Sequence, residues 1–554
     1  MATRKHGADD NYSNKDETKK VNLDTILIED IGQFGKYQFR ILLLTVVFVI
    51  LTAFSAMEFV FTTARINTRC LIPECEDIEE ADFLPSWISN AVPGTDSSVD
   101  ACHRYDSLNI NTSIAECPAE WFDRHVIVKC SNYVYENSDT VVHHFGLACN
   151  EWGRTIIGSV QTFGGLVSLP ITGFISDHWG RRFALSWNAI NIAWLGIVRY
   201  WIDNYYWFIA VEIIKAVLGA GGFSCAYILV MELVGPKYRV PAGATINTFF
   251  SVGQIILSLI AWRVPYWKNL ILALYIPQFI FISYFWIMSE SVRWYMSKGR
   301  YDKAEEFLKN VARVNRRELS EKSIQLLKES AESEKVQASG DSSAREPWLA
   351  ALVFRHKVIL RRCCVSPVWW VASALIYYGM SINAVDLVGN RYINYVAVAA
   401  AEIPGYWLAV LLMDRIGRKP VLVGAYWTCA ACQLAYIFTP ADFHGAILST
   451  YLIGKLSIAI VMMSLYIYTA EIYPTKYRHS LLAFSSMIGR IGSIVAPLTP
   501  ALGASIWQYF PSTLFCVFAL VAGALVFLAP ETLGTRLPDT MEEASVIGVQ
   551  RKTQ

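Results

Sequence analysis

Four ionisable side chains stand deep inside long apolar stretches of the sequence: Lys215, Glu402, Lys455 and Arg490. A charge at membrane depth costs about 2.5 to 3.5 kcal/mol on insertion scales, so residues of this kind usually have a function. Arg490 has glycine and serine neighbours, which leave room for close packing or for a ligand beside its guanidinium group. Because a guanidinium binds a carboxylate through two parallel hydrogen bonds, we expect Arg490 to bind an acidic group. The alternative is an internal ion pair between Arg490 and a carboxylate such as Glu402.

Aromatic side chains are a second group that could bind a charged ligand. Trp369, Trp370, Tyr377 and Tyr378 share one apolar stretch. The face of an aromatic ring attracts an ammonium group by roughly 0.5 to 2 kcal/mol. The chain has 18 Trp and 28 Tyr, however, and many of these belong to the aromatic belts expected at the two membrane surfaces. Sequence alone does not separate the two roles.

The composition predicts the elements that carry these side chains. Of the 554 residues, 54% are hydrophobic and only 17% are charged, which is too apolar for a soluble globule of this length. The net charge of +1 gives no reason to expect a nucleic acid as partner. Apolar stretches of about 20 residues, the length that crosses a bilayer, predict twelve transmembrane helices. They lie near residues 40–63, 154–176, 183–202, 205–231, 241–263, 267–288, 364–386, 391–413, 420–439, 446–470, 480–502 and 508–529.

Three short motifs occur twice in the chain at nearly constant spacing. This pattern predicts two copies of a six-helix unit joined end to end, an arrangement typical of secondary transporters whose site lies between the halves. We therefore expect the functional site between the two copies. The repeated acidic residues are Asp177 and Asp414 (414 − 177 = 237), Glu232 and Glu471 (471 − 232 = 239), and Glu290 and Glu531 (531 − 290 = 241).

Lysine and arginine residues in the short loops predict the orientation. They collect on one side of the twelve helices, and basic loops face the cytoplasm. Both termini fall on that side, and the segment from Met1 to Lys36 lacks the apolar core of a signal peptide. The predicted organisation is a cytoplasmic N-terminus at 1–37, an N-terminal half at 38–288 with an extracellular loop at 64–152, a cytoplasmic linker with amphipathic helices at 289–362, a C-terminal half at 363–530 and a cytoplasmic tail at 531–554.

The predicted extracellular loop holds half of the 12 cysteines. Six cysteines in an oxidising compartment predict three disulfides, and spacing does not decide among the 15 possible pairings. Asn111 begins an Asn-Thr-Ser sequon in the same loop, so we expect a glycan there. Free thiols and an unmodified Asn111 are the alternative. The predicted disulfide residues are Cys70, Cys75, Cys102, Cys117, Cys130 and Cys149.

The repeated motifs place an aspartate, a glycine and basic residues in a tight turn between two predicted helices. Asp177 is expected to cap or pair at a helix N-terminus, and Arg181 and Arg182 to meet glutamates and helix C-termini. Such contacts can hold one conformation closed and break in the other, so we predict a cytoplasmic gate. Loop orientation alone explains one basic turn but not its duplication with acidic partners. The predicted gate residues are Asp177, Arg181, Arg182, Glu232, Arg239, Glu290, Asp414, Arg418, Glu471, Arg478 and Glu531.

Taken together, these motifs resemble the major facilitator superfamily, from about Ile28 to Asp539. The paired Glu-x-x-x-x-Lys-Tyr-Arg motifs, the Glu290-Ser-Val-Arg-Trp segment and the run from Pro530 to Thr540 are similar to solute carrier family 22, which moves organic cations, anions and zwitterions. The resemblance implies an all-α polytopic membrane protein in the major facilitator fold. Twelve transmembrane helices would form two six-helix halves related by pseudo-two-fold symmetry, with an extracellular disulfide-bonded loop domain.

The resemblance also assigns expected roles in substrate binding. Cation-selective relatives resemble one another in having an aspartate where this chain has Arg490, whereas anion and carnitine-type relatives have an arginine there. Glu402 resembles a carboxylate of the eighth helix and is expected to face an ammonium group, so the pair suggests a zwitterionic substrate. Trp370, Tyr377, Asn247 and Phe250 resemble positions that line the pocket in relatives. Apart from the resemblance, the further expected substrate-binding residues are Tyr227, Phe223, Gln254, Lys455 and Tyr466.

One position departs from the family pattern. Many relatives have an arginine in the fourth helix where this chain has Glu212, and Lys215 follows one turn later. Glu212 and Lys215 either form a local salt bridge at i, i+3, or Lys215 takes over the role of the missing cation and contacts the substrate. The sequence leaves both interpretations open.

The predicted function is that of a plasma-membrane, multi-pass secondary transporter that works by alternating access. The expected substrate is a small zwitterionic amine carboxylate such as β-alanine, or a related compound such as carcinine or carnitine. An organic anion exchanger is the alternative within transport, and a ligand-binding receptor without transport is the alternative outside it. Enzyme motifs are not found, so we expect no enzyme, no cofactor and no metal. The expected partners are the organic ion and the bilayer, with no nucleic acid, and the expected functional unit is a monomer. The sequence does not identify a coupling ion such as sodium or a proton.

Overall fold

The computed structural model describes residues 23–77, 81–95, 98–108, 117–325, 327–329, 349–440, 442–475, 477–535, 538 and 540–547. The predicted glycosylation site Asn111 lies outside these residues.

Twelve apolar helices of the described chain form the body of the molecule, as predicted. Ten are long and apolar enough to cross a membrane by length and composition, which makes the protein a multi-pass membrane protein. The other two are Arg181–Val198, which begins with two arginines, and the shorter Phe510–Val526. In chain order the spans are Lys36–Thr62, Glu151–Trp179, Arg181–Val198, Tyr205–Leu233, Pro236–Arg263, Trp267–Ile287, Lys357–Asp386, Arg391–Ile416, Arg418–Phe438, His444–Ile472, Arg478–Ser505 and Phe510–Val526, numbered one to twelve below.

Local sequence explains where several spans begin. Asn150, Asn204 and Asn390 directly precede spans two, four and eight, and each side-chain oxygen accepts a hydrogen bond from a backbone amide of the first turn. Those amides have no partner within the helix, so the asparagine caps stabilise the helix start. Span five instead begins with Pro236, which has no amide proton to satisfy.

The two six-helix halves meet along two pairs of spans. Span five packs against span eight, and span two packs against span eleven. Aromatic rings add to this contact at one end of the molecule, where Phe61 lies 5.0 Å from Tyr395 and stacks on Tyr392 at 5.7 Å, measured between ring centroids. These two contacts, of span five with span eight and of span two with span eleven, border the space between the halves.

A small domain follows span one on the side of the bundle that we call the disulfide side. It contains three antiparallel strand pairs, which add short β-structure to an otherwise helical chain. Disulfides join Cys70 to Cys130, Cys75 to Cys117 and Cys102 to Cys149, so the prediction of three disulfides is confirmed and their pairing is defined. The strands are β1 Thr68–Cys70 paired with β6 Tyr133–Tyr135, β2 Gly94–Thr95 with β3 Ser98–Val99, and β4 His103–Ser107 with β5 Phe122–Lys129.

Short helices cover the opposite side, which we call the basic side because it holds the turns at Arg181 and Arg418. The helix Tyr301–Val314 buries Ala304, Leu308 and Val311 at helical spacing against the N-terminal half. The predicted amphipathic linker helix is therefore present. The other short elements on this side are Leu23–Ile26, Leu27–Ile31, Val292–Ser297, Leu349–Arg355 and Met541–Val546.

Candidate functional site

A buried ion pair lies in the C-terminal half. Lys455 of span ten places its Nζ 3.0 Å from Oε1 of Glu402 of span eight, and both side chains are 0% exposed. The same ammonium group donates hydrogen bonds to the Tyr377 carbonyl at 2.7 Å and to Ser381 Oγ at 2.6 Å, and it lies 3.8 Å from the centre of the Tyr377 ring. Glu402 therefore already has a cationic partner.

The second oxygen of Glu402 joins the two halves. Oε2 accepts hydrogen bonds from Tyr377 at 2.8 Å and Tyr406 at 3.1 Å, both in its own half. It also accepts from Ser251 Oγ at 2.5 Å and from Gln254 Nε2 at 3.1 Å, both on span five of the other half. Because these donors are buried, the network holds spans five and eight together in this conformation. Gln254 was predicted from the sequence; Ser251 and Tyr406 were not.

Arg490 is half-buried on span eleven, which faces span two across the interface between the halves. Within the described residues it forms no ion pair and no hydrogen bond, and it lies within electrostatic range of Tyr466. The alternative in which Arg490 pairs with Glu402 is not the arrangement found, because Lys455 takes that place. Arg490 is thus a cation available to a ligand.

Close packing of span eleven on span seven fixes the position of Arg490. A Cβ on Gly489 would lie 2.6 Å from Trp370 Cβ, and a Cβ on Gly492 would meet the Val371 carbonyl. Both positions therefore require glycine for the two helices to approach this closely. The glycine neighbours noted in the sequence therefore serve the close packing of span seven on span eleven.

Five predicted aromatic residues form a continuous row across the interface. Tyr466 of span ten contacts the Trp370 ring edge-on at 4.5 Å and faces Tyr227 of span four at 6.4 Å, measured between centroids. Tyr466 remains 39% exposed although it lies mid-span, so the row borders open space. The row continues on the N-terminal half through Phe223, which lies 6.5 Å from Tyr227 and 5.5 Å from Phe250.

Asn247 of span five lies at the same interface. Its side-chain amide donates to the Gly243 carbonyl at 3.0 Å and reaches Met463 Sδ of the other half at 3.9 Å. Asn247 therefore joins the aromatic row and Arg490 around the space between the halves.

Lys215 does not lie at this interface. It belongs to a buried cluster inside the N-terminal half, where its Nζ is 2.7 Å from Glu212 Oε2 and 3.2 Å from Glu58 Oε1. Arg199 pairs with the same two glutamates, and the Tyr275 hydroxyl donates to Glu58 at 3.0 Å. All four charged side chains are at most 2% exposed. The structure thus shows the local salt bridge between Glu212 and Lys215, extended to two further charges.

The duplicated motifs form two matching clusters on the basic side. In the N-terminal half Arg181 pairs with Asp177 at 3.0 Å and with Glu232 at 3.3 Å. The backbone amides of Arg181 and Arg182 donate to Glu290, at 2.8 and 3.2 Å. Burial raises the pKa of Glu290 above its ordinary value, and the amide hydrogen bonds oppose this only in part.

The C-terminal half repeats the arrangement residue by residue. Arg418 pairs with Asp414 at 3.2 Å and with Glu471 at 3.1 Å. The amides of Arg418 and Lys419 donate to Glu531, both at 3.0 Å. In both copies it is the distant glutamate, rather than the aspartate of the turn, that caps the helix N-terminus. Sequence analysis expected the aspartate to cap or pair; it pairs.

Three predicted gate residues have other surroundings. Arg182 meets Glu290 through its backbone amide rather than through its guanidinium. Arg239 pairs with Asp24 of the N-terminal segment at 2.6 Å, and Arg478 donates to Thr475 Oγ1 at 3.1 Å. The ion pairs found among the described residues of the basic side each lie within one half, so the gate role remains a prediction.

Several residues of these networks were missed from the sequence. Glu58 stood inside the first predicted span and could have been found by the same criterion as Glu402, since it is an ionisable residue at membrane depth. Tyr275 and Ser381 carry no such signal, because uncharged polar residues are common in membrane helices.

Comparison with known proteins agrees with this architecture. The family model "Sugar (and other) transporter" matches residues 114–543. The chain is 32% identical to the "Organic cation transporter protein" of Drosophila melanogaster, with 94% of each chain covered. It is 27% identical to "Solute carrier family 22 member 2" of Homo sapiens, with 95% and 96% covered.

The solved structure titled "Inward open conformation of the xylose transporter XylE from E. coli" superposes with a TM-score of 0.60 at 15% identity, covering 92% of this chain and 99% of that one. At this identity the likeness concerns the fold. Motifs, fold and relatives together show that the chain belongs to the major facilitator superfamily and, within it, to the organic ion transporters of solute carrier family 22.

Proposed function

We propose that this chain carries small amine carboxylates such as β-alanine across the plasma membrane by alternating access, with both termini in the cytoplasm. The observation that supports this most directly is Arg490, a half-buried guanidinium at the interface between the halves without an ionic partner among the described residues. Partial burial of a cation that lacks a carboxylate is unfavourable, and a substrate carboxylate would supply two charge-assisted hydrogen bonds.

The ammonium end of the substrate needs a different partner from the one expected. Glu402 is matched by Lys455 and by four donors on Oε2, so a substrate ammonium would have to displace Lys455 to reach it. The row of Tyr227, Tyr466 and Trp370 offers ring faces near Arg490 instead. We therefore propose that the aromatic row takes the ammonium group.

This assignment orders the candidate substrates. β-Alanine and carnitine each carry a carboxylate and a cationic nitrogen, so both can use Arg490 and the aromatic row. Carcinine has no carboxylate and leaves Arg490 unpaired. We therefore favour β-alanine and carnitine-like compounds over carcinine.

The basic-side clusters fit a gate that works by rigidity. Each cluster ties the turn after its second helix to the fourth helix and to the segment after the sixth helix of the same half. The halves can then separate on this side as rigid bodies. On the interface itself, the hydrogen bonds from Ser251 and Gln254 to Glu402 have to break when spans five and eight part.

An organic anion exchanger is the second candidate, and the charge count favours it. Glu402 and Lys455 cancel, so Arg490 leaves a charge of +1 among the residues discussed at the interface. A dicarboxylate would place one of its two carboxylates on Arg490 without using the aromatic row as a cation site.

Uptake into proteoliposomes tests the proposal. The panel contains β-alanine, its analogue without a carboxylate (propylamine), its analogue without an ammonium (propionate), carnitine, carcinine and a dicarboxylate, at several pH values and with or without sodium. We expect β-alanine and carnitine to enter, and Arg490→Ala to lower their uptake at least about tenfold because the carboxylate loses its partner. The exposed Arg263→Ala at the end of span five is the matched control.

Three outcomes would contradict the proposal. Undiminished β-alanine uptake by Arg490→Ala removes the carboxylate role. Uptake of propionate and the dicarboxylate without β-alanine supports the anion exchanger. Binding of a panel compound without uptake of any supports the receptor.

A further inference from the structure

The first described residues form a strap across the basic side of the N-terminal half. We use "N-terminal strap" for residues 23–35. Ile26, Leu27 and Ile31 are at most 4% exposed and pack beneath Tyr301–Val314. Asp24 at the start of the strap pairs with Arg239 at 2.6 Å and with Arg293 at 2.7 Å. The strap therefore occupies Arg239, one of the repeated basic residues.

The strap is held along its length by the segment that follows Tyr301–Val314. Asn315 Nδ2 donates to the Ile31 carbonyl at 3.2 Å, and Asn315 Oδ1 accepts from the Tyr37 amide at 2.9 Å. Ser320 donates twice to Asp30 Oδ2, from its hydroxyl at 2.9 Å and from its amide at 3.1 Å. These bonds fix the position of the strap relative to residues 315–320.

Ser320 has the surroundings of a kinase substrate. It is exposed and follows a non-helical stretch, so its hydroxyl can enter an enzyme cleft. Arg316 and Arg317 precede it by four and three residues, and within the described chain neither forms an ion pair. Kinases discriminate among serines by such charge patterns, and an acidic cleft selects arginine on the N-terminal side of the serine.

We propose that Ser320 is a phosphorylation site and that its phosphate loosens the N-terminal strap. The donor is ATP, and the catalyst is a serine kinase that selects arginine three residues before the serine. Ser320 Oγ attacks the γ-phosphorus, the new O–P bond forms as the bond from the γ-phosphorus to the bridging oxygen breaks, ADP leaves, and the hydroxyl proton passes to the kinase base.

The contact with Asp30 explains the effect. Burial raises the pKa of Asp30, but hydrogen bonds from Ser323 and Ser320 outweigh it and hold the pKa below its ordinary value. Asp30 is therefore charged at neutral pH. A phosphate adds a charge of about −1.5 to −2 and removes the hydroxyl proton that Asp30 accepts, so attraction becomes repulsion. Loss of this contact removes the anchor at Asp30 and leaves the strap held by its buried apolar residues, by Asn315 and by the ion pairs of Asp24, so that it opens more often.

The inference requires the basic side to face the cytosol, where ATP is present. It rests on the proposed transport function only for its consequence for uptake. Phosphate incorporation and strap release are measured without transport, so their failure is distinguishable from failure of the transport proposal.

The test uses the full-length protein in lipid nanodiscs with a purified arginine-directed serine kinase and Mg-ATP. Mass spectrometry is expected to find phosphate on Ser320 but not on Ser297, an exposed serine of the same side that has Trp294 at the third preceding position. Amide hydrogen exchange of residues 24–31 is then expected to speed up about tenfold or more. Ser320→Ala is expected to show neither change.

Asp30→Asn separates repulsion from other causes, because it keeps the phosphate but removes the opposing charge. In phosphorylated Asp30→Asn we expect exchange in the strap close to that of its own unphosphorylated form. No phosphate on Ser320, under conditions that modify a peptide of residues 313–323, would overturn the site. Phosphate with unchanged or slower strap exchange would overturn the release, and slower exchange would show that Arg316 and Arg317 capture the phosphate.

Discussion

Replacing Lys455 by methionine is the most informative test of the buried network. Removing one partner of a buried ion pair costs about 3 to 5 kcal/mol, because the other charge stays behind. Glu402 would keep four hydrogen-bond donors on Oε2, but Oε1 would lose the ammonium at 3.0 Å. We therefore expect Lys455→Met to destabilise the protein by about 3 kcal/mol, the lower end of that range.

The double variant distinguishes loss of the ion pair from a general packing defect. Glu402→Gln alone leaves Lys455 unpaired and is expected to cost a similar amount. Lys455→Met combined with Glu402→Gln removes both charges, and a neutral replacement of a buried pair is often tolerated, so we expect a loss within about 1 kcal/mol of wild type. Simple addition of the single losses would give about 6 kcal/mol.

Equilibrium unfolding in mixed micelles with increasing denaturing detergent, followed by circular dichroism, measures these differences. Lys309→Met, at a half-exposed helical ion pair with Glu305, is the control and is expected to change stability by less than about 0.5 kcal/mol. An unchanged stability of Lys455→Met, or additive losses in the double variant, would refute the assigned pairing.

Three other variants test the remaining clusters. Gly417→Ala is expected to destabilise the protein by at least about 1 to 2 kcal/mol, because the φ of Gly417 is +112° and the new Cβ would lie 2.7 Å from a carboxylate oxygen of Glu531. Gly424 has open space around it, so Gly424→Ala is expected to leave stability unchanged in the same unfolding assay. Burial raises the pKa of Glu74, but hydrogen bonds from Ser107 and Arg104 outweigh it and hold the pKa below its ordinary value. Its contribution to the stability of the disulfide-side domain is therefore fully present above the unfolded pKa, near 4.3, and is lost as pH falls through the lower folded pKa. Glu74→Gln is expected to flatten this dependence in hydrogen exchange measured between pH 3 and 6. Glu212→Gln leaves excess positive charge in the buried cluster and is expected to lower the unfolding midpoint more than any surface Glu→Gln change.

The sequence predicted the repeated architecture because its signals are local. Span length, hydropathy and the duplicated Asp177 and Asp414 turns are each readable within about 20 residues. The six loop cysteines likewise predicted three disulfides. The pairing of Cys75 with Cys117 could not be predicted, because it depends on how segments separated by tens of residues meet. Local sequence patterns therefore predict the helices and turns, whereas tertiary packing decides which side chains pair.

The candidate site shows the same division. Glu402, Lys455 and Arg490 were recognised as charges at membrane depth, yet the sequence offered Arg490 as a partner for Glu402. The structure pairs Glu402 with Lys455, 53 residues further along the chain (455 − 402 = 53), because spans eight and ten lie side by side. Lys215 was left open for the same reason, since Glu58 from span one completes its cluster.

The central claim is that Arg490 selects substrates by their carboxylate. It is tested most directly by the ratio of β-alanine to propylamine uptake in proteoliposomes containing wild type or Arg490→Asp, since the two compounds differ mainly in the carboxylate. We predict that wild type favours β-alanine and that the aspartate, which repels a carboxylate and attracts an ammonium, reverses the preference. An Arg490→Asp protein that is folded and transports with the wild-type ratio would contradict the account.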